Sequence, residues 1–116
     1  MPTPRLKVAT VAFMDKIYAI GGHDGANDAL AAVEVYDPEE DSWSKAPNLP
    51  EPRFASAAVV LGNKLYVIGG FAGTRPLEPK ADVFEFDPKT QEWTQKHLFQ
   101  LREELSAQAR GMKKFL

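Results

Sequence analysis

The chain of 116 residues contains no cysteine. Disulfides, thiol nucleophiles and thiolate metal sites are therefore excluded, and cysteine usage leaves the redox compartment undecided. Long apolar runs are also missing. No stretch approaches the roughly 20 residues that a membrane-spanning helix needs. Positive charge is not in excess: 14 Lys and Arg stand against 16 Asp and Glu, a net charge of −2. There is thus no electrostatic case for nucleic acid or an anionic membrane surface as partner. Histidine occurs only at His23 and His97, too far apart in sequence to form a ligand pair of ordinary spacing. Neither a Gly-rich phosphate loop nor a nucleophile motif is present. Met1-Pro2-Thr3-Pro4-Arg5 is followed by no apolar run of the secretory type. The expectation from these absences is a cytoplasmic protein without metal or cofactor.

What is present is repetition. Hydrophobic residues make up 44% and charged residues 26%, ordinary for a globular domain. Lys16-Ile17-Tyr18-Ala19-Ile20-Gly21-Gly22 returns 48 residues later as Lys64-Leu65-Tyr66-Val67-Ile68-Gly69-Gly70. Met1-Pro2-Thr3-Pro4-Arg5 matches Leu49-Pro50-Glu51-Pro52-Arg53 at the same offset. Beyond the glycine pairs the offset becomes 50, where Val33, Tyr36, Asp37, Pro38 and Trp43 stand opposite Val83, Phe86, Asp87, Pro88 and Trp93. The two extra residues follow the second glycine pair, which marks that stretch as a loop.

Each copy reads as four short strands. The first pair covers 6–13 and 54–61, small and β-branched. Turns at Asp15-Lys16 and Gly62-Asn63-Lys64 lead into the apolar runs 17–20 and 65–68, which the glycine pairs end. Third strands over 32–36 and 81–86 stop at Asp-Pro, and fourth strands over 42–45 and 92–95 centre on tryptophan. The proline-rich run 46–52 joins the copies. After Gln95 the period changes: Leu98, Leu101, Leu105, Ala109 and Met112 share one helical face. A helix of about 17 residues is marginal alone in water, so it is expected to dock. The units expected are 1–48, 49–95 and a C-terminal amphipathic helix over 96–116.

These residues resemble the kelch repeat, the blade unit of a family of β-propellers. The resemblance rests on Arg5/Arg53, Tyr18/Tyr66, Gly21-Gly22/Gly69-Gly70, Tyr36/Phe86 with the Asp-Pro pairs, and Trp43/Trp93, and it covers residues 1 to about 95. It implies an all-β fold of two four-stranded blades plus the helix. Tyr18, Tyr66, the four paired glycines, Trp43 and Trp93 then have structural roles, the tryptophans packing blade on blade. Propellers typically close with about 4–8 blades. Two blades would leave both outward faces wet. The expectation is therefore homo-oligomerisation, with a homotrimer completing a six-bladed ring. The alternative is a piece of a longer propeller.

The loops between second and third strands share one end of the blades with the link between them. In kelch relatives this face commonly binds a peptide or protein, and the resemblance implies the same non-catalytic scaffold role here. Candidate partner-binding residues are Arg5, Arg53, His23, Asp24, Asn27, Phe71 and Arg75. Free arginines would suit an acidic ligand. Each has a plainer reading: Arg5 and Arg53 as structural ion pairs, His23 as an exposed loop histidine, Phe71 as a loop anchor. A second class is catalysis, since some kelch propellers are copper oxidases or sialic-acid epimerases. The copper type requires a cysteine that is absent here. An epimerase-like sugar site would need Arg5, Arg53, Asp24 and Glu78 to converge. A third is a purely structural fragment without ligand.

Overall fold

The computed structural model describes residues 3–25, 28–73 and 78–113, with residues 108 and 111–113 described by backbone alone. Two antiparallel four-stranded sheets are formed. The first runs in chain order: β1 (Ala9–Phe13), β2 (Lys16–Ile20), β3 (Val33–Asp37) and β4 (Ser42–Ala46). The second contains β5 (Ala57–Leu61), β6 (Lys64–Ile68), β9 (Val83–Asp87) and β10 (Glu92–Lys96), with a two-stranded hairpin of β7 (Phe71–Ala72) and β8 (Glu78–Pro79) inserted after β6. Helix α1 (Leu98–Lys113) closes the described chain.

Turn chemistry sets these boundaries. Met14 and Asp15 both take positive φ between β1 and β2, whereas Gly62 alone does so between β5 and β6. These are the two hairpin geometries whose twist matches the strands. At Asp37-Pro38 and Asp87-Pro88 the aspartate Oδ1 accepts from the N–H of Glu39 and Lys89, a side-chain turn that ends the ladder. The first strands start three residues later than the sequence pattern suggests. Lys7 and Ala55 have φ of 52° and 54°, so the ladder is interrupted after Leu6 and Phe54. Those two residues form isolated bridges instead, Leu6 to His23 and Phe54 to Phe71.

The core lies between the sheets. Strand alternation puts Val11, Phe13, Tyr18, Ile20, Val33 and Val35 on one face of the first sheet. They meet Val60, Leu65, Val67, Phe84, Phe86 and Trp93 of the second. Tyr18 lies 6.2 Å from Phe86, which lies 4.9 Å from Trp93. The Trp93 indole N–H donates to the Pro47 carbonyl at 2.9 Å, tying the link to the second sheet. Trp93 thus packs blade on blade. Trp43, its counterpart, lies on the outward face of the first sheet against Tyr36 at 5.2 Å, and among the described residues no sheet lies beyond it.

The outward flanks correct the expectation of two bare apolar faces. On the second sheet, Tyr66 and Val83 cluster with Leu101 of α1, flanked by Val59, Leu61 and Ile68. The helix starts on a side-chain cap, the Gln100 amide oxygen accepting from the His97 N–H at 2.9 Å. Its backbone stays helical past Gly111. Glu85 is also buried on this flank, accepting from the Tyr66 hydroxyl at 2.8 Å with Lys64 3.4 Å away. On the first sheet, Glu34 is buried beneath Thr3 and Arg5.

Leu65 is fully buried between the sheets, while its counterpart Ile17 is 41% exposed on the open flank. Leu65→Ala is expected to cost about 2–5 kcal/mol in urea unfolding, and Ile17→Ala under about 1 kcal/mol. The Tyr66 phenol is raised above its ordinary 10.0, first by burial, then by its bond to Glu85 and the charges of Glu85 and Glu104. The folded chain keeps a proton that the unfolded chain releases above about pH 10, so this stability is full below that pH and falls as pH rises. Tyr66→Phe should flatten the alkaline loss by up to about 1.4 kcal/mol per pH unit in denaturant titrations.

Candidate functional site

Three segments meet at one end of the sheets: the loop from Gly22 to Leu30, the link from Ala46 to Arg53, and the β7–β8 hairpin. Backbone hydrogen bonds stitch them together. Gly22 N–H donates to the Arg53 carbonyl at 2.8 Å, and Arg53 N–H donates to the Leu30 carbonyl at 3.1 Å. The approach explains the first glycine pair. A Cβ on Gly21, whose φ is +65°, would stand 2.3 Å from the Arg53 carbonyl oxygen.

The two arginines are framework groups here. The Arg5 guanidinium is buried, donating to the carbonyls of Gly21 and Ala32 at 2.7 and 2.8 Å and to Glu34 at 2.7 Å. Arg53 is 2% exposed. It donates to Asp82, Glu51 and the Pro52 carbonyl, each at 2.7 Å, and its guanidinium lies 5.2 Å from the Phe84 ring centre. Burial works against its charge, yet the bonds to Asp82 and Glu51 outweigh it and hold the group protonated above its ordinary range. The acidic ligand expected from the sequence required free guanidinium groups. Both are already neutralised by internal carboxylates, and that expectation loses its basis.

His23 is buried, not an exposed loop histidine. Its Nδ1–H donates to the Asp24 carbonyl at 2.7 Å, and its ring meets Phe54 edge-on at 5.0 Å. Phe54 in turn stacks on Phe71 at 5.6 Å. The same bridge occurs once per copy, so Leu6, His23, Phe54 and Phe71 form a row across the rim. Its middle is buried and its ends are open: Leu6 is 57% exposed and Phe71 half-buried. Phe71 is thereby both a loop anchor and a partly open ring. Asp24 holds its loop, Oδ1 accepting from the Asp28 N–H at 3.0 Å. Asn27 and Arg75 lie outside the described residues.

The groups that a sugar site would need are not brought together within the chain. Arg5 pairs with Glu34, Arg53 with Asp82 and Glu51, and Glu78 with Lys80 at 3.2 Å. Among the described residues no group of three His, Asp or Glu side chains is placed to hold a metal ion. Glu34, Asp82, Leu6 and Phe54 were not singled out by sequence. An offset comparison carries their signal, since Glu34 stands opposite Phe84 and Leu6 opposite Phe54.

Radially packed four-stranded antiparallel sheets whose inner strands start from a shared rim define a piece of a β-propeller. The sequence matches the KLHDC2/KLHL20/DRC7 Kelch-repeats domain over residues 1–110, and the chain belongs to the kelch-repeat family. It is 35% identical over 91 residues to alpha-scruin of Limulus polyphemus, covering 74% of this chain and 10% of that protein. It is 53% identical over 32 residues to the F-box/kelch-repeat protein SKIP20 of Arabidopsis thaliana, covering 28% and 8%. The solved structure of YjhT superposes with a TM-score of 0.70 at 21% identity, over 81% of this chain and 37% of that one. The chain thus spans about a tenth of these curated relatives or less.

Replacing Arg5 tests the framework role directly. Arg5→Met leaves Glu34 buried without its cation and should cost about 3–5 kcal/mol in chemical unfolding. Arg5→Met/Glu34→Phe, which puts in the residue of the second copy, should regain most of that loss.

Proposed function

We propose that this protein is a non-catalytic interaction module that binds a peptide or protein segment at the rim of its blades. Protein binding is typical of the kelch-repeat family. The observation that carries the reading is the aromatic row. A rigid, hydrogen-bonded frame presents Phe71 and Leu6 half-open at its ends, which suits anchoring an apolar side chain. Among the described residues the rim charges are largely paired, Glu51 with Arg53 and Glu78 with Lys80, and exposed Asp28 and Lys7 balance one another. The favoured ligand is therefore an extended segment held by an apolar anchor, with no net demand for charge of either sign. Catalysis finds no support in the pairing of the arginines, each of which is committed to internal carboxylates.

A peptide-display selection against the folded chain tests this. Selected binders should weaken about tenfold or more on Phe71→Ser or Leu6→Ser, a loss of about 1.4 kcal/mol, with the circular dichroism unchanged. They should be indifferent to Ile17→Ser on the open flank. Binders indifferent to both rim changes, or lost on Ile17→Ser, would place recognition elsewhere.

A further inference from the structure

Helix α1 rests on a surface built for something else. Its anchor Leu101 touches the sheet face that carries Val59, Leu61, Tyr66, Ile68 and Val83. Those positions correspond in the repeat to Val11, Phe13, Tyr18, Ile20 and Val33, the face by which the first sheet receives the second. The helix therefore occupies the seat of a further blade. Its fit there is poor. Leu101 is 5% exposed, but Leu98, Leu105 and Phe99 stay largely open, Phe99 at 66%. A cleft of about 230 Å³ remains between the helix and Tyr66, Glu85 and Lys96.

The complementary half of the interface is also present and open. The first sheet's outward flank carries Ile17, Tyr36 and Trp43 where the second sheet uses Leu65, Phe86 and Trp93 against the first. The Tyr36–Trp43 pair repeats the arrangement of Phe86 and Trp93, with centroids 5.2 and 4.9 Å apart. The buried carboxylates on the two flanks are compensated within the chain, Glu34 by Arg5 and Glu85 by the Tyr66 hydroxyl and Lys64. Neither would bring an unpaired charge into a new contact.

We propose that α1 is a detachable cover for self-assembly. When it leaves, the flank of β5, β6 and β9 takes the open flank of β1–β4 from a second copy of this chain. The contact is head to tail and repeats the one inside the chain. Such contacts close into rings when the rotation fits, and three two-bladed chains give a six-bladed ring. The rim reading is independent of this inference, because the rim residues lie at the ends of the sheets and not on their flanks.

The test uses the full chain in light scattering, as wild type, Leu101→Asp and Leu101→Asp/Ile17→Asp. The wild type should run at the one-chain mass of 12.8 kDa over a concentration range in which Leu101→Asp assembles to a discrete multiple. Ile17→Asp should return the assembly to one chain. Should Leu101→Asp fail to fold, Leu101→Ala should assemble at a concentration about tenfold below the wild type's threshold. The inference is overturned by a folded Leu101→Asp that stays at one-chain mass. It is equally overturned by an assembly insensitive to Ile17→Asp, or by a wild-type ring whose α1 amides remain protected from hydrogen exchange.

Discussion

The contact between the two sheets is the constraint from which the rest follows. A blade is apolar on both faces, because in a propeller each face meets a neighbour. In this chain one face of each sheet is covered by the other, through Tyr18, Phe86, Trp93 and the fully buried Leu65, Val67 and Phe84 around them. The link is drawn into that contact, with Leu49 buried and the Trp93 N–H on the Pro47 carbonyl. The remaining face of each sheet has to be covered differently, and the chain does so in two unlike ways. One carries a helix, the other a buried ion pair and a partly exposed aromatic pair. Structure and candidate surfaces alike come from that asymmetry.

The rim depends on the same packing. Arg53 is held between the link and the second sheet, its carbonyl accepting from Gly22 and its guanidinium bound to Asp82. A cation so placed fixes where the link leaves the first sheet, and with it the position of Phe54 one residue later. The row from His23 to Phe71 is therefore set by a buried salt bridge, not by the loops themselves. A rim held this way would meet the proposed partner with little ordering left to do, which would lower the entropic cost of association.

Much of this was legible in the sequence, and the exceptions have physical causes. Strand order, the glycine pairs and the helix from Leu98 followed from periodicity and turn chemistry. The starts of β1 and β5 did not, because Lys7 and Ala55 adopt positive φ with no glycine to signal it. The hairpin of Phe71–Ala72 with Glu78–Pro79 was hidden by a two-residue insertion that breaks the repeat register. Arg5 and Arg53 follow their plainer reading as structural ion pairs, whereas the burial of His23 departs from the exposed loop histidine expected. Residue type alone argues for exposure of the arginines and is neutral for histidine. What reverses it is a partner far away in sequence, Glu34 for Arg5 and Asp82 for Arg53, or a ring from the other copy, Phe54 for His23. Such partners are invisible to local pattern and visible only in the fold.

One difference between the two copies falls where the physics requires it. At the centre of the third strand the first copy has Glu34-Val35 and the second has Phe84-Glu85. Strand alternation puts Val35 and Phe84 inward, facing the neighbouring sheet, and Glu34 and Glu85 outward. The glutamate thus changes place by one residue between copies, so that each sheet carries it on the flank that lacks an internal neighbour. Capping units of repeat arrays need a polar outer face. Here each flank buries one glutamate, neutralised locally, while Ile17, Trp43, Val59 and Leu61 around it remain apolar. A flank of that kind tolerates water or a loosely held helix, yet keeps the contour of a blade contact. A carboxylate there would weaken such a contact without abolishing it, which is the balance that the proposed removable cover requires.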